Sequence, residues 1–108
     1  MAINFAHAMD GVWSEGTLNP DDISKVMIII YQRLISLGLA KPNNAVNELK
    51  ALRTRSVEGD PTLSEENYRW TQEEVDELIN NICGEHGYRF GGHPDDPACI
   101  GIWKSVEE

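Results

Sequence analysis

Cys83, His86, His93 and Cys99 are the side chains with the sharpest chemical potential in this sequence. Two thiolates and two imidazoles make a complete tetrahedral ligand set for zinc. Cys83 and His86 lie three residues apart, which places them on one face of a helix end, and a loop carrying His93 and Cys99 could fold back to meet them. The spacing lacks the close cysteine pair of a zinc finger, however, and Cys83 falls on an apolar helix face, where a thiol ordinarily acts as a small hydrophobe. The expectation is no cofactor, with a zinc-stabilised regulatory domain as the alternative.

Other reactive groups are weaker. Asp95 and Asp96 beside His93 offer ligands for a harder metal or a general base, but Asp before Pro is a common turn element, and no nucleophile or oxyanion site lies nearby. Ser14 and His7 have no nucleophile elbow around them. Gly91-Gly92 does not form a phosphate-loop pattern and reads as a hairpin turn. These absences predict a protein that is not an enzyme.

The acidic segment from Glu58 to Glu77 carries more weight. It holds eight carboxylates against one cation, Arg69, and interleaves them with Tyr68 and Trp70. Like charges at this density repel one another, and a basic partner would relieve them. The predicted contact residues are Glu65, Glu66, Tyr68, Glu73, Glu74, Asp76 and Glu77, with Tyr68 as the aromatic anchor because Trp70 is assigned to a helix staple. This predicts stoichiometric binding to a basic protein, as in an inhibitor, immunity or adaptor protein, with the acidic surface able to occupy a nucleic-acid groove.

Charge placement across the chain points the same way. Residues 1–55 sum to +1 and residues 56–108 to −10, giving the net −9. Such a field opposes direct binding to nucleic acid or anionic membranes. A chain of 108 residues is expected to be one domain, residues 1–108, and to fold without staples. Two cysteines are too few for a disulfide scaffold, and Met1 to Asp10 lacks the pattern of a secretory signal, so a cytoplasmic location is expected.

The element that must position everything else is a helix over 19–37. Asn19 caps it, Pro20 suits its first position, Asp21 and Asp22 favour its positive end, and Leu18 with Ile23 has staple spacing. Gly38 provides the left-handed exit. Ile23, Val26, Met27, Ile30, Leu34 and Leu37 form one stripe at about 100° per residue, and Ile28, Ile29 and Ile35 beside it offer a homodimer seam.

Around this helix the sequence predicts a second, capped by Asn43 or Asn44 and running to about Thr54, then a long loop over 56–69. A third helix is predicted from a Thr71–Glu74 capping box and a Trp70–Val75 staple, with Val75, Leu78, Ile79, Ile82 and Cys83 inward. Tyr88 to Phe90 and Ile100 to Val106 read as strands joined by a long loop through Pro94 and Pro97. Residues 2–10 fit a short helix with Ile3, Ala6 and Met9 inward, or a strand through Ile3 and Phe5, and Trp13 is a lid on the core. The fold class is thus mostly α (α+β): three or four helices around the central helix 19–37, with a small C-terminal antiparallel β hairpin.

Overall fold

The computed structural model describes residues 5–14 and 19–105. The proposed Leu18–Ile23 staple and the placements of Ile3 and Val106 lie outside those residues. The chain runs α1 (Phe5–Met9), β1 (Gly11–Ser14), α2 (Pro20–Ser36), α3 (Asn44–Val57), α4 (Glu65–Glu85), β2 (Tyr88–His93) and β3 (Asp96–Lys104). The predicted mixed class holds: four helices and an antiparallel sheet.

The central helix, α2, begins and ends where its residues dictate. Asn19 is extended, and its side-chain oxygen accepts the Asp21 N–H at 2.8 Å, with Pro20 as the first helical residue. At the other end the Leu39 N–H reaches Leu34 O (2.9 Å) and the Gly38 N–H reaches Ile35 O (3.0 Å), a closure that needs the positive φ of +76° at Gly38. Gly59 closes α3 in the same way, with Asp60 N–H on Arg55 O and Gly59 N–H on Ser56 O. Met27, Ile30 and Leu34 are buried between these ends, whereas Ile29 is exposed. Ile28 is buried and Ile35 partly buried, so the trio considered as a dimer seam does not form one open face.

Asn43 is the cap of α3, accepting the Ala45 N–H at 2.8 Å, and the helix continues three residues past Thr54. The larger correction concerns α4. Ser64, with its hydroxyl on the Asn67 N–H at 3.2 Å and Glu65 and Glu66 in the first turn, starts this helix well before Thr71. The long loop over 56–69 therefore shrinks to the residues between Val57 and Glu65. Thr71 is interior and buried, and its hydroxyl donates back to Asn67 O at 2.9 Å, the alternative bond that a threonine makes within a helix. Thr71 and Glu74 are not a capping box, and Trp70 is not a staple.

The sheet has the order β1-β3-β2, all antiparallel. Gly91 and Gly92 are not the hairpin turn. They sit within β2, opposite Gly101 and Ile100, and the chain reverses through Pro94 and Asp95 between His93 and its partner Asp96. The third strand, β1, pairs along β3 with Gly11 opposite Ile102 and Val12 opposite Gly101. Trp13 packs against the core with its indole N–H donated to Met9 O at 2.8 Å, consistent with a lid.

Helices and sheet share one apolar cluster that includes Met9, Met27, Ile30, Leu34, Leu49, Val75, Ile79 and Ile102. One polar side chain ties the two layers together. Asn80 on α4 accepts the Phe90 N–H at 2.8 Å through Oδ1 and donates through Nδ2 to Asp76 Oδ1 at 2.7 Å. Asn80 thus covers an amide on the edge strand. Replacing Asn80 with alanine should leave that amide without its partner and cost about 1–3 kcal/mol, read as a lower urea midpoint with an unchanged m-value.

Candidate functional site

The residues of the hypothetical zinc set are kept apart by the fold. Cys83 is fully buried on the inner face of α4, where burial pushes its thiol up to about 11. His86 ends the helix and stacks on Phe5, ring centroids 4.6 Å apart and planes within 4°. His93 meets Trp103 edge-on at 5.0 Å, and its Nδ1 accepts the Asp95 N–H at 3.0 Å. Cys99 belongs to β3. Among the described residues, no group of three or more His, Cys, Asp or Glu side chains is placed to hold a metal. Cys83 and His86 both belong to the end of α4, but the helix turns the Cys83 sulfur into the core while His86 is exposed. With its thiol protonated at pH 8, Cys83 should resist alkylation in the folded protein and react at once in denaturant, as mass spectrometry of the labelled peptide would show.

In the loop, one carboxylate and one amide serve local structure. Asp96 accepts the Ala98 N–H at 3.2 Å, and Asp95 gives its amide to His93. Near the amino ends of α2 and α4 lies a cavity of about 520 Å³, bordered by Ser56, Leu63, Glu65, Tyr68, Arg69 and Gln72 among others. Several of its polar groups hold helices together: Gln72 Nε2 donates to Ser24 Oγ (2.6 Å) and to Pro20 O (2.8 Å), and the Tyr68 hydroxyl donates to Asp21 Oδ1 at 2.8 Å.

The outer face of α4 is organised differently. Glu66, Trp70, Glu73 and Glu77 fall at helical spacings of four, three and four residues, so they form one stripe, with Glu74 beside it. All five are exposed, and the stripe lies opposite Tyr68, Thr71, Val75 and Ile79, which face the core. Trp70 is 58% exposed at its centre. The carboxylates of this stripe make no ion pair with any described residue; the only such pair among the described residues joins Arg55 to Asp60.

The fold divides the eight acidic residues of the 58–77 segment into two kinds. Asp60 is committed to the turn, accepting from the Thr62 hydroxyl, the Thr62 amide and Arg55, which together hold its carboxyl down to about 2. Asp76 is partly buried against Asn80, and that burial raises its carboxyl above the ordinary range. Glu58, Glu65, Glu66, Glu73, Glu74 and Glu77 remain outward.

The aromatic assignment reverses. Tyr68, the expected anchor, is only 5% exposed, and burial is the main reason its hydroxyl is pushed up to about 12. Trp70, expected to staple the start of the helix, is the outward ring. A signal for this lay in the sequence: Trp70 is four residues from both Glu66 and Glu74, whereas Tyr68 is in step with Val75 and Ile79.

Neither a family model nor a curated protein nor a solved structure matches this chain. Among the described residues no helix is long and apolar enough to cross a membrane. The reading of function therefore rests on the chain's own surfaces.

Proposed function

We propose that this chain is a small protein-binding module that presents the outward face of α4 to a basic site on another protein. It acts by occupying that site, as a stoichiometric inhibitor, immunity or adaptor protein does, and where the site is a nucleic-acid groove the carboxylates stand in for phosphates. The observation that carries this reading is Trp70, more than half exposed in the middle of a carboxylate stripe that makes no ion pair with a described residue. A large aromatic surrounded by charge is the composition of an interface anchor with a polar rim, and the carboxylates would steer a cationic partner toward it. The module is proposed to act in the cytoplasm, a compartment where Cys83 and Cys99 stay as thiols.

The test is capture from host lysate on tagged protein, eluted with a salt gradient and identified by mass spectrometry. A basic protein held at low salt and released at high salt is expected. The triple variant Glu73→Lys, Glu74→Lys, Glu77→Lys changes the local charge by six units on exposed positions and should abolish capture while leaving the fold intact by circular dichroism. Capture undiminished by those three changes would sink the proposal.

A further inference from the structure

On the opposite side of the helical layer lies a second surface of contrary charge. α4 packs against both α2 and α3, so the outer groove between α2 and α3 faces away from it. That groove, about 190 Å³, is lined by Lys25, Lys50 and Arg53 around an apolar floor of Ile28 and Ile29, with Thr54 at its side. It gathers three of the nine lysines and arginines of a chain whose net charge is −9. Lys25 and Lys50 are exposed. Arg53 is held in place by its Nε–H, donated to Asp21 O at 2.8 Å, which leaves its terminal nitrogens for another acceptor. Ile29 is 43% exposed, a large aliphatic beside like charges that repel one another.

We infer that this groove docks the α4 stripe of a second copy of the same chain. The occupant it calls for is an exposed apolar side chain flanked by carboxylates, and Trp70 among Glu66, Glu73, Glu74 and Glu77 has that composition. The indole covers Ile28 and Ile29, where cations at the rim also favour an aromatic face, while the glutamates meet Lys25, Lys50 and Arg53. The two surfaces differ and lie on opposite sides of one molecule, so the contact is head-to-tail. It adds copies in a row rather than closing a symmetric pair. Each copy repels the next through its net charge, and at about 0.1 M salt a screening length of about 10 Å confines that repulsion to short range, where the complementary pairs also act.

The proposal rests on the same α4 stripe as the function given above and names a further occupant for it, so an assembled row would hide the stripe from a foreign partner. Sedimentation velocity at about 0.1 M salt tests it. Wild-type mass should rise with concentration from the 12.1 kDa monomer and pass that of a dimer. Lys25→Glu with Lys50→Glu, and separately Glu73→Lys with Glu77→Lys, should each weaken association roughly tenfold or more, because like charges then face each other. An equimolar mixture of the two variants should restore assembly, since each then offers what the other lacks. A wild type that stays monomeric to about 1 mM, a mixture that does not restore assembly, or a dimer indifferent to Lys25 and Lys50 would overturn it. A monomeric wild type that still captures a basic protein, released by the α4 reversals, would leave the proposed function standing. Assembly on this scheme without foreign capture would do the opposite.

Discussion

Gly101→Ala should lower the melting temperature by roughly 10–20 °C, the consequence of about 3 kcal/mol of overpacking in a domain of this size. Gly101 lies in the middle of the central strand, between Gly91 of β2 and Val12 of β1. A β-carbon there would fall on the Gly11 carbonyl oxygen and within 2.9 Å of Trp103 Cζ2 and 3.0 Å of the Gly11 carbonyl carbon. Two of those three obstacles are backbone, and backbone in a paired strand cannot swing aside as a flexible side chain would. Relief requires β1 to separate from β3. Gly84→Ala is the control, because no atom lies within 4 Å of its added carbon and alanine is the better helix former. Its melting temperature should be unchanged or slightly raised, and equal losses at both glycines in a calorimetric scan would refute the steric account.

The second large effect should appear in binding alone. Trp70→Ala is expected to weaken a captured basic partner by about 2 kcal/mol or more, some thirtyfold, as truncating a central aromatic anchor does. Since Trp70 is already 58% exposed, the same change should move stability by no more than about 0.5 kcal/mol. Tyr68→Phe should behave in the reverse manner. It removes the hydroxyl that reaches Asp21 and should cost about 1 kcal/mol of stability without touching affinity. Titration calorimetry and thermal melts on the two variants separate the roles. Affinity that follows Tyr68 instead of Trp70 would place the anchor elsewhere.

The exchange of those two aromatics shows where the sequence could be read and where it could not. α2 was legible because Asn19, Pro20, Asp21 and Asp22 all favour the same helix start and Gly38 the same end, with no rival signal nearby. α4 offered two rival starts. Ser64-Glu65-Glu66 and Thr71-x-x-Glu74 both satisfy capping chemistry, and the second has the neater pattern, but the first lets Tyr68 and Gln72 reach Asp21, Pro20 and Ser24 on α2. Those contacts span 47 to 52 positions and have no local trace. Starting the helix at Ser64 also explains Trp70, which has the position of a staple only when Thr71 is read as the cap.

The sheet shows the same limit. Gly91-Gly92 resembles a turn in isolation, yet small residues there allow close approach, for a β-carbon on Gly92 would lie 2.8 Å from Pro97 O. β1 has only four residues, Gly11–Ser14, and nothing in them announces a strand until β3 is beside them. The acidic stripe was visible in composition. Which carboxylates belong to it depended on Arg55, Thr62 and Asn80, the groups that withdraw Asp60 and Asp76.

The order β1-β3-β2 also sets a timetable for synthesis. The strand that separates the other two is the last to be made, so Gly11–Ser14 must wait through three helices and β2 before Asp96–Lys104 arrives to pair with it. Helices α2, α3 and α4 can meet on the ribosome through contacts nearby in the chain, whereas closing the sheet joins its most distant described parts. Until then β1 is an unpaired edge on a nascent chain, and its brevity limits what else it can capture.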